Sequence, residues 1–249
     1  MHDVYLQLIK KLNRNCFLES ESAQLTEFNV LARRRLLKTR NMQSNEEIVA
    51  TISKALDTAL QLVEEDDWQV EKVEGDATVK SKINKEGRKI FLCSAVVNIA
   101  PKNLEKKLMD IENLTTWNNT ITESRLLENL KKDVFLSYQV TADGGGGLVS
   151  ARDFVYGAKT MQRGDTFIVG GMSVEFENQP EIGDKVRAWH GPSCQLISPV
   201  KGSPRQSSYI WLMDCEYGGM LPVSIVHMAL THAQLMMINS INIIASQLD

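Results

Sequence analysis

The chain has 249 residues, of which 43% are hydrophobic and 24% are charged, a composition that suits a folded domain with a sizeable core. The net charge of −3 argues against general nucleic-acid binding, because that function needs a clustered basic face. The cysteines, Cys16, Cys93, Cys194 and Cys215, lack CxxC or zinc-ligand spacing, so they indicate reduced thiols rather than disulfides or a metal site.

Residues 1–43 are predicted to form a basic leader that is partly disordered or contacts a membrane. They contain eight Lys or Arg and four Asp or Glu, and basic residues near an anionic bilayer each add about 1 kcal/mol of attraction. The beginning of the chain has no long apolar core typical of a secretory signal, and no apolar run is long enough for a transmembrane helix. We therefore expect a cytoplasmic protein, peripheral to intracellular membranes.

The folded domain is predicted to span residues 44–249. Ser44 followed by Glu47 is a capping box, and the apolar residues after it repeat at helical spacing, which predicts a helix over about residues 45–65. Pro101 is predicted to open a second, shorter helix. Period-two patterns and turn residues between these helices predict strands at 68–75, 77–84 and 88–99.

Strands are then predicted without interruption until a terminal helix. Helices do not alternate with strands in this order, so a doubly wound parallel sheet is excluded. The pattern predicts an α+β fold, in which helices lie at the ends of an antiparallel sheet. The later strands are predicted at 119–129, 133–142, 151–160, 165–176, 184–196 and 207–217.

The terminal helix is predicted to run from Pro222 to about residue 248, and it contains no formally charged residue apart from its histidines when protonated. An ordinary surface helix carries charge on its outer face. Two interpretations follow: the helix packs into the concave face of the sheet, or it covers an apolar ligand cavity to which its methionines supply adaptable surface. The predicted apolar stripe consists of Leu230, Met237, Ile241, Ile244 and Leu248.

The segment "TADGGGGLVSARDFVYG", from Thr141 to Gly157, raises the possibility of a phosphate-binding loop. The glycines Gly144–Gly147 are not followed by Lys-Ser or Lys-Thr, and the segment enters a strand rather than the helix that anion binding needs. The glycines therefore indicate a flexible connection between two strands, the second of which begins at "ARDFV".

No catalytic constellation is apparent. His190 and Cys194 are close in sequence along a strand, which does not make a catalytic pair. His227 and His232 are five residues apart, unlike a metal pair on one helix face. We therefore predict that the protein is not an enzyme and that it needs no cofactor or metal.

Several segments together resemble START domains, and most closely their sterol-binding subgroup: "ARDFV", "HGPSC", "GSP", and "LP" before the last helix, in this order. The resemblance covers about residue 46 onward. It implies a helix-grip fold, in which a curved antiparallel sheet of nine strands and a long C-terminal helix enclose an apolar tunnel for one lipid. It also implies non-enzymatic lipid transfer between membranes.

The chain departs from the sterol-binding subgroup at two positions. That subgroup has an acid and an arginine that pair inside the cavity, and the matching positions here are Gln139 and Ala158. Losing both charges together leaves no orphaned ion, but it changes the polar end of the tunnel. Cholesterol therefore becomes one candidate beside a less polar isoprenoid such as a carotenoid, which insect members of the subgroup carry. The resemblance further implies ligand-binding roles for Leu114, Asn118, Leu230, Met237, Ile241 and Ala245.

Three hypotheses remain open after the sequence. The first is a monomeric carrier that binds one sterol or carotenoid and touches membranes transiently. The second is a lipid-sensing interaction module, which would bind lipid without moving it. The third is an enzyme on the same fold, such as an ester hydrolase, which would need convergent polar groups in the cavity.

Overall fold

The structure is a computed structural model, and it describes residues 43–143, 149–179, 181, 183 and 185–247. The predicted leader lies almost entirely outside the described residues, so its separation from a domain at 44–249 stays a prediction. The glycines Gly144–Gly147 and the end of the predicted helix stripe, Leu248, also lie outside them.

The order of elements begins with a helix, three strands and two short helices. The first helix, α1, spans Asn45–Val63, close to its predicted bounds, with Glu46 and Glu47 in the first turn, where the helix dipole favours acids. A second helix, α2, begins at Pro101 as predicted. The elements are β1 (Gln69–Glu74), β2 (Ala77–Ile83), β3 (Lys89–Val97), α2 (Pro101–Met109) and a 3₁₀ helix (Ile111–Thr116).

The remaining elements are strands followed by the terminal helix α3, Val223–Ala245. The second strand of the glycine-rich connection begins at Arg152, one residue after its predicted start. The strands are β4 (Ile121–Lys131), β5 (Val134–Thr141), β6 (Arg152–Arg163), β7 (Thr166–Ser173), β8 (Val186–Arg187), β9 (Trp189–His190), β10 (Ser193–Val200), β11 (Ser203–Met213) and β12 (Cys215–Glu216).

The large sheet has the strand order β1-β2-β3-β11-β10-β7-β6-β5-β4, and each neighbouring pair along this path is antiparallel. The short strand β8 adds a parallel pairing to the beginning of β6, and β9 pairs with β12 in a separate ribbon. The predicted α+β fold, an antiparallel sheet with a long terminal helix, is confirmed.

Two predicted strands, 184–196 and 207–217, are wrong as single elements. The segment 184–196 divides into β8, β9 and the start of β10, and Gly191-Pro192 separates β9 from β10. Proline has no backbone N–H to donate to a ladder, and the Gly191 N–H instead donates to the Asp214 carbonyl at 3.0 Å. The strand predicted at 207–217 starts earlier, at Ser203, because Gly202 adopts φ +78° in a tight hairpin turn after β10. Its last part is a separate strand, β12, which pairs with β9.

The two faces of the sheet belong to different hydrophobic clusters. One face, here called the outer face, packs on α1 through Ile48, Ile52 and Leu56. The opposite face, here called the inner face, shares a cluster with the terminal helix α3 and with the 3₁₀ helix. Alternation along each strand assigns neighbouring residues to opposite faces, so the face of each side chain follows from this division.

The helix α3 packs mainly against β3, β2 and β1, at one side of the sheet. Leu230, Met237, Ile241 and Ile244 are buried, as the predicted stripe required. Ile243, which lies outside this stripe, is 44% exposed. The helix thus covers one arm of the sheet with its apolar stripe.

Candidate functional site

The inner face of the central strands retains accessible surface. Four of its side chains are only partly buried, although most of the apolar cluster around them is at most 9% exposed. The outer face also has partly buried side chains, such as Leu196 and Ile210, so the inner face is distinguished by the apolar cluster that it shares with α3. The partly buried inner residues are Tyr156, Val169, Gln195 and Trp211.

Five residues with an expected ligand-binding role come together in the inner cluster. They come from elements far apart in the sequence, the 3₁₀ helix and α3, and each is at most 5% exposed. Their shared surroundings are apolar, and include Phe91, Phe154 and Tyr209 from the sheet. The five are Leu114, Leu230, Met237, Ile241 and Ala245. A role in ligand binding stays a prediction for all of them.

Gln139 and Ala158 lie on adjacent strands and on the inner face, but they are not direct neighbours. Gln139 on β5 faces Phe154 on β6, while Ala158 faces Phe135. Ala158 is four residues after Phe154, which corresponds to about 13 Å along a strand. Ala158 is 1% exposed and Gln139 is partly buried, so a charge at position 158 would be inside the protein.

Asn118 has a local structural task. Its side-chain Oδ1 accepts hydrogen bonds from the backbone N–H of Thr120 at 3.0 Å and from the Thr120 hydroxyl at 2.7 Å. Such bonds fix the turn that leads into β4. This task explains why Asn118 is buried without reference to a ligand.

Three polar side chains that the sequence analysis missed also belong to the inner face. Gln195 lies between Val169 and Trp211 in the register of β7, β10 and β11, and Tyr209 and Gln234 are both 0% exposed. The Gln195 Oε1, Tyr209 hydroxyl and Gln234 Oε1 are buried and have no hydrogen-bond partner among the described residues. A buried polar atom left unpaired costs about 1–3 kcal/mol, so this group requires an explanation.

A signal for Gln234 was available in the sequence. It follows Leu230 by four residues and precedes Met237 by three, so it falls on the apolar stripe of the terminal helix. The signals for Gln195 and Tyr209 were weaker, because the face of a strand residue depends on the strand's neighbours. Neither residue type is unusual in a strand by itself.

His190 and Cys194 do not form a nucleophilic pair. Burial lowers the pKa of His190 to about 4, so its ring is neutral at pH 7, and Nδ1 lies 3.3 Å from the Asp214 carbonyl oxygen. Burial raises the pKa of the Cys194 thiol to about 12, and that side chain lies in the outer cluster. The His190 ring packs on Phe154 of the inner cluster, so it cannot take the proton of a thiol on the outer face.

The "HGPSC" motif is a turn built around Asp214. Asp214 is 1% exposed, and Arg88 donates to its two oxygens at 2.9 and 2.6 Å, while Asn84 donates at 3.1 Å. A Cβ at Gly191 would lie 2.3 Å from the Asp214 Oδ2, which explains the glycine. Ser193 completes the turn, because its hydroxyl accepts from the Asp214 N–H at 3.1 Å.

The "RDFV" motif also has a structural explanation. The Asp153 carboxylate is 0% exposed and accepts two hydrogen bonds from the Arg187 guanidinium, at 3.0 and 2.7 Å. Arg152 is 2% exposed, and it donates to the Ser150 carbonyl and to the Tyr217 carbonyl, the latter at 3.2 Å. These contacts tie β6 to the segment that precedes α3.

Other site types find no support in the part of the chain that the structure describes. Among these residues no cluster of His, Cys, Asp or Glu could hold a metal ion, and no helix has the length and apolarity needed to cross a bilayer. A small cleft at α1 and the β2–β3 turn is lined largely by polar residues, among them Gln61, Glu65 and Asn84. Its polar walls do not suit an apolar ligand.

Comparisons with known proteins agree with this architecture. Residues 53–243 match the family model of the START domain. The human steroidogenic acute regulatory protein is 32% identical over 175 residues, which are 70% of this chain and 61% of the relative, and the Xenopus laevis protein is 33% identical with the same coverage. The matched part therefore covers less than two thirds of these relatives.

Solved structures show the same fold at low sequence identity. Human StAR-related lipid transfer protein 5 superimposes with a TM-score of 0.75 at 15% identity, covering 82% of this chain and 99% of that one. The lipid transfer and protein localization domain of human StarD13 gives a TM-score of 0.60 at 21% identity. The family match over most of the chain, together with this shared fold, shows that the chain belongs to the START domain family.

Proposed function

We propose that this protein is a non-enzymatic carrier that binds one sterol or related isoprenoid, such as a carotenoid, and transfers it between membranes. The observation that carries the proposal is the inner face: it is largely apolar, it shares a cluster with the terminal helix, and several of its central side chains are only partly buried. Exposed apolar surface costs about 25 cal/mol per Å² in water. A lipid bound there would cover this apolar surface, and the lipid would also be shielded from water.

The proposed binding residues are those of the inner cluster, Leu114, Leu230, Met237, Ile241 and Ala245, together with Gln139 and Ala158 at one side of the sheet. Positions 139 and 158 carry no ion pair that could bind a polar group. We therefore propose a ligand less polar than cholesterol, such as a carotenoid, as a candidate equal to cholesterol. Asn118 is proposed to act indirectly, by fixing the turn before β4.

The chemistry of His190 and Cys194 supports the proposal that the carrier is not an enzyme. His190 is neutral and held by the Asp214 carbonyl, and Cys194 remains a thiol on the outer face. Ester hydrolysis by a cysteine needs a thiolate beside a base. We therefore expect no turnover of sterol or carotenoid esters.

The first experiment is native mass spectrometry, with an absorbance scan, of the full chain purified from cells that supply sterol and carotenoid. We expect one lipid per monomer, and transfer of that lipid from donor to acceptor vesicles. A chain that carries no lipid and takes up neither class would contradict the proposal. Tight binding without transfer would favour the lipid-sensing module instead.

Membrane contact is proposed at the segment Met220–Val223, just before and at the start of α3. Met220 is 85% and Val223 is 63% exposed, and two glycines with positive φ, Gly218 and Gly219, precede them. Large apolar side chains this exposed suit insertion at a bilayer surface. Such contact would be transient, as expected for a cytoplasmic monomer at the periphery of intracellular membranes.

We predict that Met220→Asp with Val223→Asp slows lipid transfer between vesicles roughly ten-fold, because two apolar contacts with the bilayer are each worth about 1 kcal/mol or more. The amount of lipid bound per chain should not change. The matched control is Val73→Asp on the edge strand β1, where the side chain is 62% exposed. Equal slowing by the control would contradict the assignment of this segment.

A further inference from the structure

Three unpaired polar groups lie in one region of the inner face. Gln195 on β10 is directly opposite Trp211 on β11, and Gln234 on α3 donates from Nε2 to the Trp211 carbonyl at 3.0 Å. Tyr209 is two residues before Trp211 on the same strand, so its side chain projects from the same face. Each of the three residues is thus a neighbour of Trp211, either across the strand pair, through a hydrogen bond or along β11.

The unpaired atoms have complementary chemistry. The Gln195 Oε1 and the Gln234 Oε1 are amide oxygens, which only accept hydrogen bonds, while the Tyr209 hydroxyl both donates and accepts. Burial raises the pKa of Tyr209 well above its usual range, so the phenol keeps its proton at pH 7. The group that satisfies this set must donate to an amide oxygen and accept from a phenol.

A hydroxyl group can accept from the phenol and donate to one of the two amide oxygens, because it has one O–H donor and two acceptor lone pairs. Apolar side chains lie close to these residues: Ile197 and Ala95 flank Tyr209 in the register, and Leu230, Met237 and Ile241 come from α3. An apolar body with one hydroxyl therefore fits the surroundings better than an ion does.

We propose that Gln195, Tyr209 and Gln234 form a polar subsite on the inner face that binds the hydroxyl group of a lipid ligand. This inference rests on the proposed carrier function and specifies its ligand class as hydroxylated isoprenoids. The subsite is distinct from positions 139 and 158, because β7 lies between β10 and the β5–β6 pair in the sheet order. In this proposal the hydroxyl group of the ligand is bound by uncharged side chains, so its binding does not require an ion pair at positions 139 and 158.

The test uses the full chain and two pairs of lipids that differ only in hydroxyl groups: cholesterol with its deoxy analogue cholestene, and zeaxanthin with β-carotene. The variants are Tyr209→Phe and Gln195→Met, alone and combined, which remove the polar atoms with little change in volume. For the hydroxylated member of at least one pair, we expect the double variant to bind roughly ten-fold more weakly, and the hydrocarbon to change less than about two-fold. The pair that responds identifies the source of the hydroxyl.

The matched control is Tyr138→Phe. Tyr138 is also 0% exposed with an unpaired hydroxyl, but it lies in the outer cluster beneath α1. We expect no change in selectivity from this variant. If the double variant does not fold, Tyr209→Phe alone, which removes a single oxygen, gives the answer through the same lipid pairs.

Two results would overturn the inference while leaving the carrier function intact. One is equal loss of affinity for both members of each pair, which would indicate a packing role or a site for water alone. The other is unchanged affinity of the double variant for every lipid that the unaltered chain binds. If the unaltered chain binds neither pair and purifies without lipid, both the inference and the proposed function fail.

Discussion

Replacing Arg88 with methionine is expected to lower the free energy of unfolding by about 3–5 kcal/mol, because it leaves a buried carboxylate without its cation. The Asp214 side chain is 1% exposed, and Arg88 supplies two of its hydrogen bonds, at 2.9 and 2.6 Å. Asn84 remains as a neutral donor at 3.1 Å, which cannot replace the charge. Urea unfolding followed by circular dichroism measures the change.

The matched control for this prediction is Arg163→Met. Arg163 pairs with Glu64 at 3.6 Å, and the two side chains are 59% and 73% exposed, so the pair contributes at most about 1 kcal/mol. If both arginine variants lose similarly little stability, Asp214 is not held by the Arg88 charge. The "HGPSC" turn would then need another account.

The effect of Arg88→Met should extend to the inner face. The backbone of Asp214 accepts from Gly191 and donates to Ser193, and Ser193 begins β10, which also carries Gln195. An Asp214 side chain that turns toward solvent would loosen this connection. We therefore expect the variant to bind lipid more weakly even under conditions in which it remains folded.

The sequence patterns were sufficient for the architecture because the fold relies on local signals. The capping box at Ser44 and Glu47 placed the start of α1, and Pro101 placed the start of α2. The terminal helix was recognisable because its apolar residues repeat at helical spacing and no charged residue interrupts it. Each of these signals is contained in a few neighbouring residues, so no knowledge of the tertiary structure was needed.

The division of segment 184–196 could not be predicted in the same way. Its residues alternate well enough for a strand, but β9 pairs with β12 and β8 pairs with β6. Pairing partners are distant in the sequence, and they decide where one strand ends and the next begins. Pro192 was the local warning, since it cannot donate to a ladder.

The polar subsite was beyond the sequence for a related reason. Gln195 and Tyr209 belong to strands in which apolar residues alternate with other residues. Whether a given side chain faces α1 or α3 depends on the side of the sheet on which each helix packs. The unpaired state of their polar atoms is a property of three elements together. The resemblance to other START domains instead drew attention to positions 139 and 158, where this chain lacks charges.

A double-mutant cycle at positions 139 and 158 is the sharpest test of that departure. We predict that Ala158→Arg alone destabilises the protein by about 3–5 kcal/mol, because position 158 is 1% exposed and the new charge would be unpaired. Adding Gln139→Glu should restore about 1–3 kcal/mol, since both positions are on the inner face of adjacent strands. This recovery of stability requires the arginine side chain at position 158 to extend along β6 to the glutamate at position 139, which lies opposite Phe154.

The same double variant should shift ligand preference toward cholesterol by roughly five-fold or more relative to a carotenoid, since hydrogen bonds between a hydroxyl and a charged group are worth about 1.5–3 kcal/mol. Competition between the two lipids for the purified chain measures the shift, and Gln139→Glu with Ala158→Met is the control, because it supplies a charge without a partner. Unchanged preference, despite a restored fold, would mean that positions 139 and 158 do not set selectivity. The preference between cholesterol and a carotenoid would then depend only on the hydroxyl subsite of Gln195, Tyr209 and Gln234. Combining Tyr209→Phe with the charged pair at positions 139 and 158 separates the effect of the subsite from the effect of the pair.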